Sequence, residues 1–289
     1  GALGVCTTRA ALQAGLTAKL GTEGLTLGAR VESISQDGRS VEAVFTDGRR
    51  ANADLLIGAD GLHSTVRRVA FGDEEPRYVG YGAWLGLAQT PMAEQLAGGG
   101  GNETMHQGQR FGWVAAGPHQ VYWFFVEARR EPISTPQRGG KDEVAAKVKG
   151  WHDPIPTVVA RTPEDRITYV SLFHRGVRRG WSDRRVVLVG DAIHPILPNA
   201  GQGACQAIED AAVLGAVLSG EPDLPSALRA YERRRLDRAR SVARDSVLIG
   251  NVGQLSHPML CGLRNAVLSA VLPIQMHRTY RQMTPPVLT

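Results

Sequence analysis

Arg185-Val186-Val187-Leu188-Val189-Gly190-Asp191-Ala192-Ile193-His194-Pro195-Ile196-Leu197-Pro198-Asn199-Ala200-Gly201-Gln202-Gly203-Ala204-Cys205-Gln206-Ala207-Ile208-Glu209-Asp210 is the stretch on which the reading of this chain turns. Its apolar, β-branched opening predicts a strand at 185–190, central in a parallel sheet and buried on both faces. The strand ends in Gly190-Asp191, and a loop stiffened by Pro195 and Pro198 leads to a helix start flanked by Gly201 and Gly203. Open α/β sheets hold ligands at the carboxyl ends of their strands. Asp191 is therefore placed to accept hydrogen bonds from the hydroxyls of a sugar or a sugar-like chain. Glycines lack a Cβ, so a flat ligand can approach the free N–H groups of the helix start, with Asn199 as the candidate cap. The partial positive charge there, about half a unit, favours an anionic or electron-rich ligand. Singly, each residue fits an ordinary strand–turn–helix with a capping Asp; their order is what points to a site.

Ala53-Asp54-Leu55-Leu56-Ile57-Gly58-Ala59-Asp60-Gly61-Leu62-His63-Ser64-Thr65-Val66-Arg67 repeats that logic. An apolar strand, read as buried on both faces, ends in Asp60-Gly61 and feeds a short helix that Ser64 caps. Thr8-Arg9-Ala10-Ala11-Leu12 opens a third element, a helix over 7–20 with apolar spacing at Leu12, Leu16 and Leu20. An Arg in that first turn reads by itself as a solvated charge, although a guanidinium can hold a diphosphate bidentately.

The remaining texture is mixed. Strands are expected at 25–34, 40–46 and 53–59, with turns at Asp37-Gly38 and Asp47-Gly48. From about Tyr78 to Ser171 strand-like segments carry most of the aromatic residues, among them Tyr81, Trp84, Phe111, Trp113, Trp123 and Phe125. Such aromatics are most often plain core. Gly98-Gly99-Gly100-Gly101 reads as a flexible loop, because no strand feeds it and no Lys follows in register. Helical pieces with Pro154 and Pro156 cover 142–161, a strand covers 166–172, and helices are expected at 201–218, 225–249 and 259–272.

The Asp191 stretch resembles the second flavin fingerprint of the single-component FAD-dependent monooxygenases, the aromatic hydroxylase class that includes p-hydroxybenzoate and salicylate hydroxylases and zeaxanthin epoxidase. The Asp60-Gly61 stretch is similar to the same family's Asp-Gly motif, and Arg9-x-x-Leu12 to its flavin-contacting helix. Tyr78-Val79-Gly80-Tyr81-Gly82-Ala83-Trp84, Phe111-Gly112-Trp113 and the region His257-Pro258-Met259-Leu260-Cys261-Gly262-Leu263-Arg264 extend the likeness over almost the whole chain. The resemblance implies an α/β (α+β) fold. A Rossmann-like FAD-binding lobe, 1–77 with 172–250, is interleaved with a β-sheet substrate lobe at 78–171, and a helical segment follows at 251–289. It implies FAD as cofactor and NADPH or NADH as co-substrate. O₂ would be used through a flavin C4a-hydroperoxide to hydroxylate or epoxidise a small, aromatic substrate. On this basis Arg9, Asp60, Gly61, Asp191, Gly201, Gln202 and Gly203 line the flavin, and the Pro198 backbone, Phe111 and Trp113 lie towards the substrate. No protein general base is implied. His194, His63 and His106 read first as structural histidines and only second as contacts.

The family opens with a strand–G-x-G-x-x-G–helix unit for the ADP half. That pattern does not occur here, since Gly203 is followed by Gln206 at the third position. A member without its amino-terminal βαβ unit is the expectation, and a chain starting Gly1-Ala2-Leu3 fits either processing or truncation. Two rivals remain: a non-catalytic remnant acting as a binding module, and a flavin enzyme of other chemistry on the same fold, a halogenase or prenyl reductase. The halogenase Trp-x-Trp-x-Ile-Pro segment is not found in this sequence.

Composition bounds the rest. With 289 residues, 43% hydrophobic and 21% charged, the chain can bury a sizeable core. Its net charge of +5 is carried almost wholly by Arg. Arg233 to Arg240 are interleaved with Glu232 and Asp237, which reads as a solvated, partly paired helix face rather than a nucleic-acid patch. Cys6, Cys205 and Cys261 give neither a disulfide framework nor a zinc spacing and fit the cytoplasm. No apolar run is long enough for a membrane span. The expected partners are a small-molecule substrate and no nucleic acid, in a monomer or homodimer.

Overall fold

A computed structural model of the chain describes residues 6–72, 75–93 and 101–282, with side chains to residue 270. Gly98, Gly99 and Gly100 lie outside the described residues. By compactness the chain divides into two units. An α/β unit comprises Thr26–Arg77 and Phe173–Gly250, and a sheet unit comprises the described parts of Gly1–Leu25, Tyr78–Leu172 and Asn251–Thr289. Among the described residues, 6–25 and 251–282 group with the sheet by this measure. One physical reason is visible at Cys6: it lies close enough to Tyr122 to join burial in pushing that hydroxyl's pKa up to about 12.

The α/β unit opens with an antiparallel meander, β1 (Val31–Gln36), β2 (Val41–Phe45) and β3 (Arg50–Ala53). Its two turns are the expected ones. Gly38 and Gly48 have φ of 89° and 83°, a left-handed conformation that glycine adopts without a Cβ penalty. The predicted strand over 53–59 divides between the end of β3 and β4 (Leu56–Gly58). A second sheet has the order β11 (Ser182–Asp183), β12 (Val186–Leu188), β4, with β12 antiparallel to β11 and parallel to β4. Val186, Val187 and Leu188 are wholly buried, as their continuous apolar run predicts. β4 departs from that expectation. Ile57 is 48% exposed, because β4 is the edge of the described sheet. Helices α5 (Gly203–Gly220) and α6 (Leu224–Gly253) complete the core, in which Leu214, Val217, Tyr231 and Leu236 pack with Trp181 and Leu188.

The sheet unit has six strands in the order β6 (Asn102–Met105), β7 (Gln109–Gly117), β8 (Gln120–Ala128), β5 (Arg77–Gln89), β10 (Ile167–His174), β9 (Gln137–Arg138). Trp84, Phe111, Trp113, Trp123, Phe125 and Tyr169 pack with residues of the short helices α3 (Lys141–Lys147) and α4 (Ile155–Ala160). The glycines of Gly82-Ala83-Trp84-Leu85-Gly86 make that packing possible. A Cβ on Gly86 would fall 2.2 Å from the Trp123 ring, and one on Gly82 would fall 2.2 Å from the Tyr169 hydroxyl.

Helix α1 (Arg9–Leu20) is capped by Thr8, whose Oγ1 accepts from the Ala11 N–H at 3.1 Å. Its apolar spacing is present but not buried: Leu16 and Leu20 are 60% and 68% exposed. The last helix, α7 (Pro258–Gln282), runs longer than its sequence predicts. Among the described residues no helix is long and apolar enough to cross a membrane.

Candidate functional site

Parallel pairing of two short strands makes the site in the α/β unit. Leu188 of β12 is in register with Gly58 of β4, and the Val189 N–H donates to the Gly58 carbonyl at 3.0 Å. The Ala59-Asp60-Gly61 and Gly190-Asp191 segments therefore leave the sheet from neighbouring carboxyl ends. Gly58 is obligatory there, because a Cβ would lie 2.7 Å from Leu188 and 2.8 Å from Val66. Arg67 ties the two segments together. It is 1% exposed, and its Nη1 donates to the Ala192 and Ile193 carbonyls at 3.3 and 3.2 Å.

Asp60 is exposed, yet both its oxygens are engaged. One accepts from the Ser64 hydroxyl at 2.5 Å and the other from the Val66 N–H at 3.0 Å. Ser64 in turn accepts from the Arg67 N–H at 2.8 Å, so helix α2 (Thr65–Phe71) has its cap from Ser64, as predicted, reinforced by Asp60. Gly61 has φ of 79° and open space where a Cβ would stand. Asp191 is exposed on the single 3₁₀ turn Gly190–Ala192.

The helix start differs from expectation in one residue. α5 begins at Gly203 with Gln202 at the N-cap position, and no side chain caps it. Asn199 is not the cap; its Nδ2 donates to the Ser246 carbonyl at 3.0 Å, while the Ser246 hydroxyl donates to the Leu197 carbonyl at 2.5 Å. Helix α6 therefore holds the loop from behind. Pro198 is exposed, and its carbonyl accepts from the Gly201 N–H at 2.9 Å. A Cβ on Gly201 or Gly203 would meet nothing within 4 Å. An 18-residue helix thus presents uncapped N–H groups towards open space, the arrangement that takes an anion or an electron-rich edge.

Behind the loop lies a polar network that the sequence reading did not foresee. Asp210 is wholly buried. Its Oδ2 accepts from the Gly190 N–H at 2.8 Å and from His194 Nε2 at 2.6 Å, and its Oδ1 accepts from Arg235 Nε at 2.7 Å. Burial pushes the Asp210 pKa up, but the hydrogen bond and attraction of His194, with hydrogen bonds from Arg235 and the Gly190 N–H, overcome it and the net shift is downward. Arg235 also reaches Glu209 Oε2 at 2.6 Å and Gln206 Oε1 at 2.8 Å. Glu209 is held low as well: burial opposes, and Arg238 and Arg235 prevail. The Arg233–Arg240 face is accordingly not a solvated one throughout, since Arg235 is 2% exposed and joined to two carboxylates. Asp210 carried a signal in its sequence, a carboxylate among Ala207, Ile208, Ala211 and Ala212. Arg235 carried none, because its partners lie a helix away.

The other proposed site residues are in the sheet unit. Arg9 is exposed in the first turn of α1. Phe111 is wholly buried and Trp113 is 7% exposed, both in the helix-covered core. Phe111 stacks on Trp123 with ring centroids 5.4 Å apart. Alternation along β7 turns both towards α3 and α4, where they pack as core. His194 is structural, as expected first.

Comparison with known proteins agrees with this geometry. A family model described as FAD binding domain matches residues 9–246, and the chain belongs to that family. Aurachin C monooxygenase/isomerase of Stigmatella aurantiaca is 38% identical over 266 residues, covering 90% of this chain and 67% of its own length. FAD-dependent urate hydroxylase of Klebsiella pneumoniae subsp. pneumoniae is 35% identical over 242 residues, with 81% and 61% covered. The crystal structure of Klebsiella pneumoniae HpxO complexed with FAD and uric acid superposes with a TM-score of 0.80 at 30% identity, over 89% of this chain and 66% of that one. This chain thus spans about two thirds or less of the length of these relatives.

Proposed function

We propose that the chain is the greater part of a FAD-dependent monooxygenase that uses NADPH or NADH and O₂ to hydroxylate or epoxidise a small aromatic substrate. One observation carries this reading. Parallel register sets Asp60-Gly61 and Asp191 at one sheet edge, in the same unit as an uncapped helix start with open space at Gly201 and Gly203. Those residues fit a flavin. Asp191 would accept from a ribityl hydroxyl, and the N–H groups after Gln202 would face the electron-rich edge of the ring system. The Gly61 segment would lie beside the pyrophosphate. FAD, when bound, supplies reduction by the nicotinamide and activation of O₂. The chain's own share is to bind, orient and shield, and it needs no general base of its own. The relatives named above, a monooxygenase/isomerase and a urate hydroxylase, support the oxygen-transfer chemistry. The free thiols Cys6, Cys205 and Cys261 support a reducing, cytoplasmic setting.

The test is a titration of FAD into the 289-residue chain, read by flavin fluorescence and the visible band. Nicotinamide oxidation with candidate phenols and heteroaromatic acids follows. Saturable binding and a product heavier by one oxygen atom are expected. Asp191→Asn is expected to weaken FAD binding about tenfold, the worth of one charge-assisted hydrogen bond. A well-folded chain that binds no FAD would leave the remnant reading standing, and a chloride-dependent product would make it a halogenase.

A further inference from the structure

We propose that Asp210, acting through His194 and Arg235, is the positioning residue that fixes Asp191 relative to the N-terminus of α5, and thereby sets the chain's affinity for FAD. The proposal rests on the flavin reading of Asp191. Asp210 accepts from both ends of one turn, the Gly190 N–H at 2.8 Å and His194 Nε2 at 2.6 Å. The Gly190 carbonyl closes the same turn by accepting from the Ile193 and His194 N–H groups at 3.0 and 2.9 Å. Asp191 stands inside this stapled segment, exposed while Asp210 is wholly buried.

The staple is anchored on the helix that forms the other half of the site. Gly190 has φ of 57°, and a Cβ there would press on the Ala207 Cβ of α5 at 3.1 Å, so the turn sits directly on that helix. Arg235 spans the same first turns, bonding Asp210 Oδ1 at 2.7 Å and the Gln206 carbonyl and Oε1 at 3.2 and 2.8 Å. One buried carboxylate therefore fixes the distance between an exposed carboxylate and a set of free N–H groups. A rigid pair of this kind spares a ligand the cost of ordering the loop. An ionised Asp accepts only, so His194 must donate from Nε2; its Nδ1 is buried without a hydrogen-bond partner among the described residues. The imidazole's polar role is thus a single donor at the Nε2 position, and a glutamine amide can supply that donor.

The experiment compares FAD titrations of wild type, His194→Leu, His194→Gln and Asp191→Asn, each checked for wild-type circular dichroism. His194→Leu is expected to raise the Kd about tenfold and to blur the vibronic structure of the flavin band, while His194→Gln stays within about threefold of wild type. Wild-type affinity in His194→Leu overturns the proposal, as does an equal loss in both His194 variants. Should the His194 variants not fold, the histidine side-chain ¹⁵N spectrum of the wild type decides. A protonated Nε2 signal of His194 already present before FAD is added supports the proposal, and an unprotonated Nε2 in the FAD-free chain overturns it. Weak binding by Asp191→Asn with unaltered His194→Leu sinks the positioning role alone. Wild-type affinity in Asp191→Asn, or no binding by wild type, sinks the flavin reading beneath it.

Discussion

The sheet unit and the α/β unit each carried residues that read as functional, and they treat them in opposite ways. In the sheet, Phe111 and Trp113 merge into a core of rings and aliphatic helix residues, held by area removed from water and by glycines that make room for Trp123 and Tyr169. In the α/β unit, Asp191 stays exposed, while a second carboxylate, Asp210, is wholly buried and bonded to Arg235 and His194. An apolar side chain gains by disappearing into a core, whereas a charge keeps its hydration at the surface, as Asp191 does, and is buried only when paired, as Asp210 is. Aromatic candidates are therefore weak evidence of a site, and a carboxylate at a strand end is strong evidence when its loop is pinned.

Substitutions can break this contrast. Trp123→Ala carries the largest expected effect, about 3–5 kcal/mol of destabilisation. The ring is wholly buried, stacks on Phe111 and donates to Thr162 Oγ1 at 2.8 Å. Denaturant unfolding should show the loss with little dependence on pH. Asp210→Asn should cost somewhat less, about 3 kcal/mol near neutrality, by leaving Arg235 short of a buried counter-charge. Here the pH profile is the discriminating measurement. The Asp210 pKa is held below its unfolded value, which is ~3.9, so its stabilisation is full above that value and is lost as pH falls through the depressed folded pKa. Asp210→Asn should remove this acid-side slope, and Trp123→Ala should leave it intact. A Trp123→Ala variant that abolished the slope would mean the two units are not held by different physics.

Smaller effects sharpen the picture at its edges. Asp60→Ala strips the second cap from α2, and about 1 kcal/mol should go with it. A thermal melt would register a drop of a few degrees. Leu16→Ser on α1, where the side chain is 60% exposed, should change stability by less than about 0.5 kcal/mol. A large loss there would show that the helix has a partner.

Much of the site was legible because its signals are local. Val186-Val187-Leu188 followed by Gly190-Asp191 needs only its own residues to become a buried strand ending in a polar turn, and Thr8 and Ser64 cap the helices they precede. Legibility failed where a partner is distant. Asn199 looked like a cap until Ser246 of α6 claimed its amide, and Ile57 looked buried until β4 proved to be an edge. Arg235 looked solvated because nothing within its own helix reveals that Glu209 and Asp210 face it.

The sequence by itself determined the class: strands ending in Asp-Gly or Gly-Asp, a glycine-flanked helix start, and an aromatic-rich sheet between them. These are short-range choices of backbone conformation and polarity, and they are written residue by residue. Tertiary structure alone decided which charges are buried, which face of β7 is core, and what pins the Asp191 turn. Each of those depends on groups 16 to 26 residues apart or on which face of a sheet the helices cover. No local pattern encodes such pairings; they arise only when packing removes the alternatives offered by water.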